Sequence, residues 1–202
     1  MRRGFALLAT LFVSTALGAQ TTTAIKAARL IDGTGAAVVR NGIVVVTGAR
    51  IVAVGTQDAI AIPAGARTID LGDATLLPGF VDAHVHLMGR STGDPRSDDE
   101  LVRDLPAYNA ILGAANARKT LLAGFTTVRV VGAHAFADVA LARAIEDGAV
   151  IGPRMQSAGH MIGATGGHCD ENGFRPGIAD VDYRGGIADG ADEARKAVRY
   201  QI

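Results

Sequence analysis

Residues 22 to 76 carry short β-branched and apolar runs separated by turn residues. Apolar positions at 24–30, 43–46, 51–54 and 68–71 are broken by Asp32-Gly33-Thr34-Gly35, by Thr47-Gly48-Ala49 and by a stretch holding Pro63 and Gly65. The spacing is that of hairpins, with no helical period. It predicts a small β-sandwich-like subdomain over residues 20–76. The grammar changes at Leu76. A strand over 76–85 leads into an Asp-rich loop, and apolar residues at helical spacing run from 105 to 122, closed by Gly124. A strand over 126–131, a helix over 136–147 ending at Gly148 and a strand over 154–158 follow. A long Gly-rich stretch over 159–190 precedes a helix that begins at Ala191. Alternating strands and helices predict the α/β class with parallel βαβ units, here three of them over residues 77–202.

Composition narrows the partners. Hydrophobic residues make up 49% of the 202, aromatics only 4%, and there is no Trp, so the core must be built from Ala, Val, Ile and Leu. The 20 basic and 20 acidic residues balance, and no basic stripe runs along the chain, which excludes nucleic acid as an expected partner. The lone cysteine, Cys169, excludes a disulfide within the chain, and the sequence places no base beside it to activate a nucleophile. Residues 1–19 read as a cleaved export signal: Arg2 and Arg3, an apolar run over 4–17, then the small residues Ala16, Gly18 and Ala19. That run is shorter than the roughly 20 residues a membrane span needs. No Cys follows it to take a lipid. The expectation is a periplasmic or extracellular protein with no membrane anchor after cleavage.

The chemistry concentrates in Asp82-Ala83-His84-Val85-His86 at the end of the first strand of the second region. Residues two apart on a strand share a face, so Asp82, His84 and His86 are expected on one side and Val81, Ala83 and Val85 on the apolar other. Two neutral imidazoles so placed suit one zinc or similar divalent ion. Residues 163–167 are Gly-rich but lack a following Lys-Ser or Lys-Thr, so a phosphate-binding loop is not expected.

The run from Leu77 through Pro78-Gly79-Phe80 to His86-Leu87 resembles the opening barrel strand of the amidohydrolase superfamily. Residues 27–33 and 48–55 resemble its small β-sandwich, and Ala123-Gly124-Phe125-Thr126-Thr127-Val128-Arg129 its second barrel strand. Gly152-Pro153-Arg154-Met155 is similar to the approach to the third. The segment Gly163-Ala164-Thr165-Gly166-Gly167-His168-Cys169-Asp170 looks like exported Xaa-Pro dipeptidase-like, imidazolonepropionase-like and ochratoxin-hydrolysing members.

The resemblance implies a (β/α)8 barrel and a binuclear centre of two zinc or other divalent ions. His84 and His86 would be ligands, and Asp82 would orient a ligand ring from behind. His168 and His160 would face the substrate, a small amide or dipeptide with a free carboxylate. His134 matches no ligand position. The bridging carbamylated lysine, two later histidines and a general-base aspartate would come from the fourth, fifth, sixth and eighth strands. A barrel of this type takes about 250 residues. Residues 77–202 hold three units, and the helix begun at Ala191 has no stop signal. The expectation is therefore an N-terminal fragment, inactive by itself, of a C–N hydrolase. A mononuclear deaminase and a non-enzymatic assembly protein are the alternatives, and self-association into a homo-oligomer is left open.

Overall fold

The structure, a computed structural model, describes residues 20–91, 93–97 and 100–202. The expected export signal over residues 1–19 lies outside them, as does part of the acidic loop. The chain divides into two compact units, Met1–Pro78 and Gly79–Ile202.

The first unit is a five-stranded sheet. Strands β1 (Thr22–Leu30), β2 (Val39–Thr47), β3 (Arg50–Thr56) and β4 (Arg67–Asp70) lie in the order β3-β2-β1-β4, and the short β5 (Thr75–Leu76) also pairs with β1. The β2–β3 hairpin is the one its β-branched runs predict, with Thr47 opposite Arg50 across the Gly48-Ala49 turn. β1 pairs antiparallel with β2 and parallel with β4 and β5. Ala24, Ile43 and Val45 are buried and pack with Ala53 and Ile60. Among the described residues this is a single sheet; the second facing layer of a sandwich is not among them. The expected strand over 76–85 is broken at Leu77-Pro78-Gly79, because Pro78 has no amide hydrogen for a ladder. Its ends belong to different units: β5 closes the first, and β6 (Phe80–Val85) opens the second.

The second unit is built as β6, the short helix α1 (Glu100–Arg103), α2 (Pro106–Leu122), β7 (Phe125–Val130), α3 (Ala137–Glu146), β8 (Arg154–Ser157) and α4 (Gly190–Gln201). The three strands form a parallel sheet in the order β6-β7-β8. Pro106 opens α2, where a missing N–H costs nothing. Gly124, at φ +99°, follows the α2 cap residue Ala123 and turns the chain into β7. Val128 and Val130 of β7 are buried with Leu87, Met88, Ala117, Ala133, Ala137 and Leu141, and Val85, Phe125 and Met155 pack against this core. The covering of the sheet by α2 and α3 is thus made of the small aliphatic residues that the composition requires.

Candidate metal centre

His84 is the penultimate residue of β6 and His86 the first beyond it, at the C-terminal edge of the parallel sheet. Both are exposed. Their ring centroids lie 5.5 Å apart with planes 69° apart. Around one tetrahedral ion, with nitrogen ligands at about 2.0–2.1 Å, two imidazole centroids lie roughly 5 Å apart. The observed separation fits a pair of rings sharing one divalent ion. Among the described residues no third His, Cys, Asp or Glu joins them in a group able to hold an ion.

The alternation expected from Asp82 through His86 is interrupted. Asp82 is opposite Val128 and Val85 opposite Val130, so three steps on β6 match two on β7. This is a bulge, and a bulge resets which side chains share a face. Arg129 Nε donates to the freed Ala83 carbonyl at 2.7 Å. Asp82 Oδ1 accepts the main-chain N–H of His84 at 3.1 Å, so the contact runs to the ligand strand's backbone and not to a ring. Asp82 also lines a groove of about 250 Å³ with Arg129 and Gln156. On the other side of β6 only Val85 packs into the core, whereas Val81, on this edge strand, is 70% exposed.

The neighbouring strands end at the same edge. Val131 N–H donates to Val85 O at 3.2 Å, Ala158 N–H to Val130 O at 3.1 Å and Ala133 N–H to Gly159 O at 2.8 Å, extending the sheet past all three strand ends. His134 follows β7 and its Nε2 lies 3.2 Å from Glu171 Oε1, tying the strand end to the long loop. His160 follows β8 and is half-buried. Its ring packs edge-on to Phe136, with centroids 4.7 Å apart, and also faces Tyr200. Its backbone is clamped by Gln201, whose Oε1 accepts the His160 N–H at 2.9 Å and whose Nε2 donates to the His160 carbonyl. Burial, and then the neighbouring His134, push the His160 imidazole below its ordinary pKa, opposed by Asp138. Phe136 is held there by two successive left-handed residues, Ala135 at φ 52° and Phe136 at φ 54°.

His168 is exposed on the Gly-rich loop. That loop is internally fastened: Thr165 donates through N and Oγ1 to Asp189, and Gly166 N–H donates to Asp170 Oδ2 at 2.8 Å. Asp189 is held below its ordinary pKa by those two Thr165 hydrogen bonds. A bridge joins Gly163 to Ile187. Asp138, which no sequence pattern singles out, is fully buried at the start of α3. Its Oδ2 accepts the Gly159 N–H at 2.9 Å and its Oδ1 the Val139 N–H at 2.9 Å. The available signal was an acidic residue in a helix's first turn, which is common on surfaces.

A parallel sheet with helical crossovers and a histidine pair at the C-terminal end of its first strand define the class: an α/β protein of the kind that binds at its strand ends. The model of the amidohydrolase family matches residues 75–202, and the chain belongs to that family. The chain is 33% identical over 147 residues to ochratoxinase from Aspergillus niger, a match covering 63% of this chain and 28% of that protein. In structure it is similar to a Xaa-Pro dipeptidase solved with methionine bound in its active site, at TM-score 0.77 and 33% identity, covering 90% of this chain and 44% of that one. The crystal structure of A. niger ochratoxinase superposes at TM-score 0.68 with 26% identity, covering 92% and 45%. The chain thus spans less than half the length of these relatives.

Proposed function

We propose that the chain carries the His84/His86 arm of a divalent-metal centre, in a (β/α)8 barrel, that serves hydrolysis of C–N bonds in small amides or dipeptides. The observation that carries this reading is the imidazole pair 5.5 Å apart at the C-terminal end of β6. A bound divalent ion supplies Lewis-acid polarisation of a carbonyl and brings the pKa of water to about 7. The residues present would do the rest of the work at this edge. His84 and His86 would hold the ion. Asp82, bonded to the His84 N–H, and Arg129, bonded to the Ala83 carbonyl, would keep the bulged strand that presents them. His160, whose imidazole burial pushes below its ordinary pKa, and His168 would meet the substrate's carbonyl or carboxylate. The likeness to a Xaa-Pro dipeptidase and to ochratoxinase supports a substrate with a carboxylate beside the scissile bond. Two imidazole ligands suit zinc or a similar divalent ion. Export of the protein belongs to the same proposal and rests on the pattern of residues 1–19.

The test is metal uptake by the 202-residue chain. The expected result is one Zn2+ bound per chain, lost when His84 and His86 are both changed to Ala. Amide hydrolysis by the chain with zinc should not exceed that of the double variant, because no third ligand joins the pair among the described residues. Equal zinc uptake by the two proteins would overturn the metal assignment.

A further inference from the structure

We propose that Asn116 of α2 is a positioning residue for the histidine pair, acting through the backbone that leaves the end of β6; the proposal rests on His84 and His86 being metal ligands. A chain leaving a strand end loses its ladder partners, and its carbonyls need new donors. The last ladder bond at this end is accepted by Val85. Asn116 then takes over: its Nδ2 donates to Leu87 O at 2.8 Å and to Gly89 O at 3.0 Å, using both amide protons on one stretch of three residues. The residues between those bonds are sunk into the core, with Leu87 and Met88 each 5% exposed. Met88 reaches α2 one turn before Asn116. A Cβ on Gly113 would lie 2.6 Å from Met88 Sδ, so glycine there makes the seat. Gly113 and Asn116 are three apart and share a side of the helix.

The far end of the segment is fastened as well. Arg90 pairs with Asp104 and stacks over Tyr108 at 5.2 Å, with both ion-pair side chains largely buried. His86 is therefore the residue next to a segment gripped by one amide, one buried thioether and one buried ion pair. Two exposed imidazoles bind an ion more tightly when their Cα positions and rotamers are fixed before the ion arrives. Partners outside the ligand layer typically govern 10–100-fold of metal affinity. Of the grips on this segment, Asn116 is the one that bonds both to the residue immediately after His86 and to Gly89.

The experiment titrates the 202-residue chain with Co2+, whose visible absorption reports the geometry of imidazole ligation. Asn116→Asp keeps the shape and removes both donors. It should lower Co2+ affinity about 10–100-fold and alter the absorption band. Asn116→Ser, with one hydroxyl proton, should fall between it and the parent, and it carries the decision if Asn116→Asp does not fold. Ala115→Gly is the control: it loosens α2 at an exposed neighbour outside the buried cluster that holds Leu87 and Met88, and should leave affinity within about twofold. Unchanged affinity in both Asn116 variants, or an equal loss in Ala115→Gly, overturns the proposal. Amide exchange in the metal-free chain separates this outcome from failure of the metal centre itself. If the parent binds no Co2+, the metal reading fails. The positioning role then stands or falls on whether Asn116→Asp speeds exchange over residues 86–90 about tenfold while Ala115→Gly does not.

Discussion

Changing Asp138 to Asn should destabilise the second unit by about 2–4 kcal/mol. Asp138 is 0% exposed, sits in the first turn of α3, and accepts the Gly159 and Val139 N–H groups at 2.9 Å each. An asparagine of the same shape keeps one acceptor oxygen and turns an NH2 toward the other donor. The loss of a hydrogen bond to a charged group costs about 1.5–3 kcal/mol. Loss of a negative charge at a helix N-terminus adds about 0.3–1 kcal/mol. At roughly 3–4 °C per kcal/mol for a unit of this size, the melting temperature should fall by about 6–16 °C. The assay is thermal unfolding followed by circular dichroism, with amide exchange at Gly159 as the local readout. Asp147→Asn serves as the surface control, because its pairing with Arg143 at 3.7 Å is exposed and worth no more than about 0.5 kcal/mol. A melting temperature for Asp138→Asn within 2 °C of the parent, by the same scale, would refute the reasoning. It would mean that the buried carboxylate contributes no more than a neutral amide there.

Two further outcomes follow from the loop and its base. Gly186→Ala should open the 159–190 loop, since Gly186 is at φ +103° and a Cβ would lie 1.7 Å from the Met161 carbonyl oxygen; strain of about 1–3 kcal/mol or more is expected, and limited proteolysis within the loop should speed up, whereas an unchanged cleavage pattern would count against the fastening described. The pKa of His160 lies below 6.5 in the folded chain, so just below pH 6.5 the unfolded chain binds more protons; the His160 contribution to stability is present above pH 6.5 and lost as the pH falls below it. His160→Gln should flatten that acid limb in denaturant titrations at pH 5 to 7, and an identical limb in the variant would exclude His160 as its source.

The local pattern was enough for most elements. β-branched runs either side of Gly48-Ala49 could only pair as a hairpin, and the spacing over 105–122 with Pro106 and Gly124 at its ends could only be a helix, because these signals act between residues a few positions apart. The place of His84 and His86 at a strand end was legible for the same reason, as was the family, which rests on contiguous motifs. Tertiary structure decided what depends on pairing partners. The bulge that separates Asp82 from the simple face of the histidines exists only relative to β7. The break at Pro78 mattered because β1 pairs with β5 and β7 with β6. Asp138, Asn116 and Glu171 took their roles from Gly159, Leu87, Gly89 and His134, residues 21 to 37 positions away in the chain. A sequence records which groups are available to bond. Which donor meets which acceptor across such distances is fixed only when the sheet and its helices bring them within 3 Å or so of each other.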